Sequence, residues 1–372
     1  MDSEKQDFSY NAALALKGIA VIMLLLHHAF RIPNYYEGFA LSFAPFVEQQ
    51  INNLTDSFKI CVSIFAFISG YGLYLKYCNH IENKKSLSAW VLERYIKSFS
   101  GYWFVWVMVA ITCQMIDERT TRILFSNGIY IGIVYGFIDF LGLSKLFDTP
   151  TLNSAWWYMS FVVTIIILTP LLYKCRNDLL FALTLYILLL RLIFGKNGDG
   201  MYPGNNSIYP FLISFMIGIA FARYGLFSLW TKIGAHSRFT KIYKCIVEIW
   251  FIILGYKFYQ NVPRNMFWEY HYGIFATMVI LFCVEFILMI PVIKEILEVL
   301  GKYSMNMFLT HSILLKYFNE FLYGKKHFIL IALTFIVTSF LFAVVIDVLK
   351  RITRYNKYIN LLLVKIGIIQ LI

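Results

Sequence analysis

Ten runs of apolar residues, each long enough to cross a bilayer as a helix, constrain this chain more than any other feature of its sequence. They lie at 12–30, 57–77, 99–116, 154–173, 178–194, 207–223, 245–260, 272–291, 305–323 and 327–349. The chain has 372 residues, of which 59% are hydrophobic and 15% are charged, and this is too little charge for a soluble surface. We therefore predict an all-α, polytopic integral membrane protein in which residues 1–372 form a single domain.

Loop charge orients the ten predicted spans. Lysine and arginine residues concentrate in the 77–98 and 223–244 connections and in the tail after residue 349. Since such loops face the cytoplasm, we expect both termini to lie inside. A further apolar stretch at 123–144 then does not cross, and we expect it to be re-entrant or interfacial. The net charge of +12 is spread over these loops, which favours membrane orientation over nucleic-acid binding.

The first apolar run carries titratable side chains. Residues 16–31 read LKGIAVIMLLLHHAFR, and such groups are rare in hydrocarbon unless they face a protein interior or a water-filled path. Lys17 and His28 share a helix face and are about 16 Å apart along the axis, whereas His27 is turned away. We expect Lys17 and His28 to open onto one cavity. Alternatively, Lys17 extends to the inner interface and His28 lies at the outer one, without chemistry.

Five stretches, in this order, resemble acyltransferase family 3, the integral-membrane acyltransferases that modify bacterial surface polysaccharides and some small molecules. LKGIAVIMLLLHH is similar to the first helix of the family, with Lys17 at an arginine position and His28 at a histidine position. The others are VSIFAFISGYGLYLKY (62–77), RYIKSFSGYW (94–103), NSAWWYMSF (153–161) and LGKYSMNMFLTH (300–311). Arg94 matches a family arginine and Lys97 replaces a second one. Lysine keeps the charge at these positions but loses the bidentate fork of arginine.

The resemblance implies an O-acyltransferase of the bacterial cell membrane. Its donor would be acyl-CoA, with acetyl-CoA expected, entering from the cytoplasm. Its acceptor would be a hydroxyl of a surface polysaccharide, an exopolysaccharide or a lipid-linked sugar, with or without a separate acyl-transfer partner. No permanently bound cofactor, metal site or nucleic-acid partner is predicted. Two other classes stay open: a transporter with a path lined by His and Lys, and a non-catalytic assembly subunit. The sequence contains no internal repeat of the kind that many transporters use.

His28 is the candidate catalytic residue, either as the base for the acceptor hydroxyl or as a carrier of the acyl group. Lys17, Arg94 and Lys97 are candidate ligands for the phosphates of coenzyme A. Cytoplasmic loops of membrane proteins are generally rich in lysine and arginine. These three residues could therefore reflect membrane orientation alone, without binding a ligand.

A second set of residues is expected to line the cavity or to support the groups that do. It comprises His27, Ser69, Tyr71, Trp157, Ser304, His311 and Glu285. Each also has a structural interpretation, because small residues such as Ser69 allow close helix packing and Trp157 suits an interface. His27 and His311 are otherwise packing residues. Glu285, like Glu248, is an intramembrane carboxylate that could orient a histidine.

Overall fold

The computed structural model describes residues 8–82, 86–116, 122–178, 182, 183, 185, 208–234, 237–262 and 267–368. Its regular structure in these residues is helical, with one isolated bridge between Ser42 and His327. The helices are α1 (Tyr10–Phe30), α2 (Glu48–Ser57), α3 (Ile60–Glu82), α4 (Leu87–Ile116), α5 (Ile129–Phe140), α6 (Ser144–Phe147), α7 (Trp157–Lys174), α8 (Leu212–Tyr224), α9 (Leu226–Lys232), α10 (Arg238–Asn261), π1 (Glu269–Ile274), α11 (Phe275–Phe282), π2 (Cys283–Ile287), α12 (Pro291–Tyr317), α13 (Asn319–Tyr323), α14 (Phe328–Ile352) and α15 (Tyr355–Lys365). Most of the predicted span 178–194 lies outside the described residues.

Several of these helices are suited to a membrane. In the described part of the chain, five helical segments are long and apolar enough to cross: Tyr10–Phe30, Glu48–Glu82, Ser154–Lys174, Glu269–Ile287 and Phe328–Ile352. Tyr209–Tyr224 and Leu226–Lys232, bent by 74°, make a sixth if they form one span. The prediction of an all-helical membrane protein is confirmed, whereas the count of ten is not.

Local sequence signals set the ends of these helices. The Ser9 side chain accepts a hydrogen bond from the backbone N–H of Ala12 and begins α1. Gly225 ends α8 with a φ of +61°, a conformation that glycine adopts without steric cost, and the chain bends there. α12 begins well before the predicted span 305–323. Its first half carries Lys294, Glu295 and Glu298, which interrupt the apolar run but not the helix.

A crossing of α1 and α12 without intervening side chains forms the centre of the bundle. A Cβ on Gly18 would clash with the Leu297 carbonyl oxygen, and a Cβ on Gly301 would clash with that of Leu14. Gly18 lies against Leu297 and, further along both helices, His28 lies against His311, so residue numbers rise together and the helices are parallel. Glycine therefore permits the backbones to approach to contact distance, as in other small-residue helix pairs.

A second glycine crossing joins α3 to α8 in the same manner. Here a Cβ on Gly70 would meet the Phe215 carbonyl oxygen, and a Cβ on Gly218 would meet that of Phe67. Gly218 lies against Phe67 and Arg223 lies within electrostatic reach of Tyr74, so residue numbers rise together here too and these helices are also parallel. The Gly70 in the Ser-Gly-Tyr break of α3 is thus a packing residue, which agrees with the structural interpretation of that stretch.

A buried carboxylate helps to attach the segment around α5 to the bundle. α5 has 12 residues, about 18 Å of helix, and is too short to cross a bilayer core of about 30 Å. Asp139, 1% exposed, accepts hydrogen bonds from Trp106 Nε1 at 2.9 Å, Ser144 Oγ at 2.7 Å and the Leu152 backbone N–H at 3.1 Å. Three donors on one carboxylate connect α4, α6 and the chain before α7.

Candidate active site

Lys17 and His28 line two different cavities, one at each end of α1. The Lys17 cavity has a volume of about 350 Å³ and the His28 cavity about 450 Å³, and they have no lining residue in common. The expectation of a single cavity is therefore replaced by a pair. We call the two ends of the bundle the Lys17 end and the His28 end.

The Lys17 cavity is cationic and lies between α1, α3 and α7. Lys17, Lys76, Ser69 and Tyr71 all contribute to its wall. Neither lysine has an ion-pair partner among the described residues. Sequence analysis missed Lys76, although it is the next-to-last residue of the quoted stretch 62–77. The direction of its side chain depends on how α3 packs, which the sequence does not specify.

Arg94 and Lys97 approach the same end from α4. Both pair with one oxygen of Glu93, at 2.6 Å from Arg94 Nη2 and 2.6 Å from Lys97 Nζ. Lys76 is within electrostatic reach of Arg94, Lys97 and Lys17. Burial alone would raise the pKa of Glu93, but the hydrogen bonds and charges of Lys97 and Arg94 hold this pKa below its usual range. The structure thus brings all three predicted coenzyme A ligands to one end and adds Lys76.

The His28 cavity combines aromatic rings, hydroxyls and cations. Its lining residues are His28, Arg31, Tyr35, Ser154, Ala155, Trp157, Ser312, Leu315, Lys316 and Tyr323. Trp157 was predicted for such a cavity. Arg31 was not singled out, although it lies three residues after His28 and therefore on the same side of the helix.

His28 lies beside His311 of α12. Their ring centroids are 4.7 Å apart. His311 Nδ1 lies 2.6 Å from the Phe308 carbonyl oxygen and must donate to it, which leaves Nε2 as an acceptor. This Nε2 is buried and has no hydrogen-bond partner among the described residues. In the same part of the chain, no hydrogen bond fixes either ring nitrogen of His28. His28, whose ring nitrogens are available, thus lies beside the unused acceptor Nε2 of His311.

His27 belongs to a supporting network instead. Its Nδ1 donates to the Thr55 carbonyl oxygen at 2.8 Å, and its Nε2 lies 3.4 Å from Arg31 Nη1, where it can accept. Arg31 Nε is also 3.6 Å from Asp56 Oδ1. These contacts attach α2 to the end of α1 and position the Arg31 side chain. They agree with the interpretation of His27 as a packing or supporting residue.

A layer of aromatic rings separates the two cavities. The Tyr158 hydroxyl is hydrogen-bonded to Ser69 of the Lys17 cavity, and its ring lies 5.5 Å from that of Phe308. Phe308 is in turn 6.0 Å from His311, the neighbour of His28. Tyr158 and Phe308 therefore connect the walls of both cavities.

Two predicted residues lie away from these walls. Ser304 Oγ donates to the Gly301 carbonyl oxygen at 2.8 Å, beside the crossing of α1 and α12. Glu285 contacts Lys244 of α10, and its segment packs near the Lys17 end, where Leu288 clusters with Ala15. The groups within electrostatic reach of His28 are His311, His27, Arg31 and Lys59. Neither intramembrane glutamate belongs to that set.

Comparison with known families gives a match over most of the chain. A family model described as an acyltransferase domain matches residues 12–348, which is nearly the whole chain. No curated protein and no solved structure matches. The matched range begins two residues into α1 and ends near the end of α14. It includes every lining residue of the His28 cavity, and all those of the Lys17 cavity except Phe8, Ser9 and Tyr10.

Proposed function

This chain belongs to acyltransferase family 3, and from that membership we propose that it transfers an acyl group from acyl-CoA to a glycan hydroxyl. The phosphates of the donor bind at the Lys17 end, its thioester arm extends past the layer of Tyr158 and Phe308 to His28, and the acceptor binds at the His28 end. One observation carries the proposal: a cationic cavity and a cavity containing an unpaired histidine lie at opposite ends of the same helix. Acetyl-CoA is the donor that we propose, used as a co-substrate.

The Lys17 end is suited to the phosphates of coenzyme A. Lys17 and Lys76 offer charge-assisted hydrogen bonds inside the cavity. Arg94 and Lys97 add positive charge at its edge, although both are partly satisfied by Glu93. A phosphate that draws Lys97 away from the carboxylate would exchange one charged partner for another at little cost.

The His28 end is suited to a sugar. Trp157, Tyr35 and Tyr323 provide rings on which the apolar face of a pyranose can lie. Ser154 and Ser312 line the same cavity and offer hydroxyls that both donate and accept. Binding sites of this kind combine apolar walls with a few polar groups that fix orientation. The acceptor we propose is a sugar of a polysaccharide or of a lipid-linked precursor.

His28 acts in this proposal as the general base. Its ring nitrogen takes the proton of the acceptor hydroxyl while the hydroxyl oxygen attacks the thioester carbonyl carbon. The C–O bond forms, the C–S bond breaks, and the imidazolium returns its proton to the departing thiolate. His311 Nε2 offers the imidazolium a hydrogen-bond acceptor. The guanidinium of Arg31 favours the negative charge that develops on the carbonyl oxygen.

We propose further that the Lys17 end faces the cytoplasm of a bacterial cell, with ten spans and both termini inside. In that count α1 and α12 belong to spans one and nine, and α3 and α8 to spans two and six. Two spans cross the membrane in the same direction when their numbers differ by an even number, as these do. The parallel pairing at both glycine crossings therefore supports the count.

Product analysis tests the proposed function. Purified protein in nanodiscs would be incubated with radiolabelled acetyl-CoA and the lipid-linked glycans of its host membrane. We expect label in the glycan fraction that mild alkali releases as acetate, as an ester requires, and none with heat-inactivated protein. The assignment would be overturned if the label stayed only in acetyl-CoA. It would also be overturned if the protein let solutes cross the membrane and transferred no label.

A further inference from the structure

A second group of buried charges lies apart from both cavities. Lys244 Nζ of α10 is 2.5 Å from Glu285 Oε2 and 3.8 Å from Glu248 Oε1, and it donates to the Trp230 carbonyl oxygen at 2.7 Å. Lys244 is 8% exposed, Glu248 7% and Glu285 9%. Two carboxylates therefore share one ammonium group in a site largely closed to water.

The hydrogen bonds of this cluster are incomplete. Glu248 Oε1 accepts from Trp230 Nε1 at 2.9 Å. Glu248 Oε2 is buried and has no hydrogen-bond partner among the described residues. A buried carboxylate oxygen without a donor is costly, and the cost is removed when a donor or a cation binds beside it.

Glu248 lines a cavity that is otherwise apolar. The cavity has a volume of about 360 Å³, and Val247, Met278 and Leu281 contribute to its wall. Tyr243 and Phe251 line it as well and are exposed on the outer face of α10, by 63% and 46%. The cavity therefore opens onto an apolar surface suited to lipid.

The depth of the cluster fits a headgroup. Lys244 lies six residues after the start of α10 at Arg238, about 9 Å along the helix. Lys241, one turn before Lys244, is exposed and adds positive charge toward the helix start. A lipid bound here would have the carboxylate of Glu248, the apolar cavity and the exposed cation Lys241 all within reach.

We propose that this cavity binds an aminophospholipid, a class represented by phosphatidylethanolamine. Its primary ammonium donates to Glu248 Oε2, one acyl chain fills the apolar cavity, and its phosphate faces Lys241. Charge complementarity selects this occupant, because the cluster carries two carboxylates and one ammonium. An anionic lipid would add negative charge to the cluster, and a lipid without an N–H donor would leave Glu248 Oε2 without a hydrogen bond. The site is independent of acyl transfer.

Native mass spectrometry of the purified full-length chain tests the site. The probes are phosphatidylethanolamine, phosphatidylcholine and phosphatidylglycerol with identical acyl chains. We expect the ethanolamine lipid to be retained most strongly by the native chain. Glu248→Gln should weaken its binding by about tenfold, since a hydrogen bond to a charged group is lost. Glu295→Gln, the same change at an exposed position of α12, should leave binding unaltered.

A second variant keeps the test decisive if Glu248→Gln does not fold. Met278→Trp fills the apolar cavity and leaves the carboxylate in place, so retention of the ethanolamine lipid should fall. Equal retention of the three lipids by the native chain would overturn the proposal. So would undiminished ethanolamine binding in either folded variant, since Glu248 would then be a buried carboxyl without a ligand.

Discussion

Lys76 provides a test of donor binding that no sequence motif suggested. Lys76 and Lys17 line one cavity and form no ion pair in the described part of the chain, whereas Arg94 and Lys97 both pair with Glu93. If the phosphates of the donor bind here, Lys76 contributes a charge-assisted contact. Replacing it with glutamine should therefore weaken donor binding and leave the chemical step unaltered, because His28 lies at the other end of α1.

The size of the effect follows from exposure. A hydrogen bond to a charged group contributes about 1.5–3 kcal/mol. Lys76 is exposed, so solvent screening favours the lower end. A loss of about 1.4 kcal/mol is a tenfold change. We thus expect Lys76→Gln to raise the KM for acetyl-CoA about tenfold with kcat nearly unchanged, and Lys17→Gln to raise it further because Lys17 is half-buried.

Steady-state release of free thiol from acetyl-CoA, together with a directly measured Kd for coenzyme A, would provide these values. Lys357→Gln removes the same charge from an exposed position of α15 and serves as the control. Added salt should raise the KM of the native protein more steeply than that of Lys76→Gln, since exposed charges are screened. An unaltered Kd in Lys76→Gln would refute the assignment of this cavity to the donor.

Three further predictions concern the bundle itself. The lowered pKa of Glu93 means that its ion pairs stabilise the fold at pH values above the ordinary carboxyl pKa and that this stability is lost as pH falls below it, through the lower folded-state pKa. The melting temperature of Glu93→Gln in detergent should therefore depend less on pH in that acidic range than that of the native chain. Asp139→Ala leaves three donors unpaired and should cost about 3 kcal/mol or more, seen as a lower melting temperature, whereas Asp178→Ala, at an exposed position, should cost little. Gly301→Val forces a clash with the Leu14 carbonyl oxygen and should give aggregated protein on size-exclusion chromatography; a monodisperse, thermally stable variant would contradict the close crossing.

The sequence predicts long apolar helices well, because hydropathy alone determines them. The runs 12–30 and 327–349 correspond to Tyr10–Phe30 and Phe328–Ile352. α12 was placed too late in the chain, because its amphipathic first half resembles a loop when only hydropathy is considered. The apolar helices alone do not determine how many times the chain crosses the membrane. The count of ten was therefore derived from the charge of the loops.

The site was predicted where it depends on one helix and missed where it depends on several. The helical period places Lys17 and His28 on one face of α1 without any tertiary information. The contact of His28 with His311 joins α1 to α12, and nothing local to either helix specifies it. The pairing of Glu285 with Lys244 likewise depends on how two distant segments pack.

The central claim is that His28 performs the proton transfer, and one comparison tests it most directly. His28→Asn and His80→Asn are matched changes, and His80 lies away from both cavities, stacked on Tyr77. In purified protein of equal thermal stability, we predict that His28→Asn lowers kcat for transfer by about 100-fold or more. Its Kd for coenzyme A should stay at the native value, and His80→Asn should stay near native in both. Transfer at the native rate by His28→Asn would contradict the account.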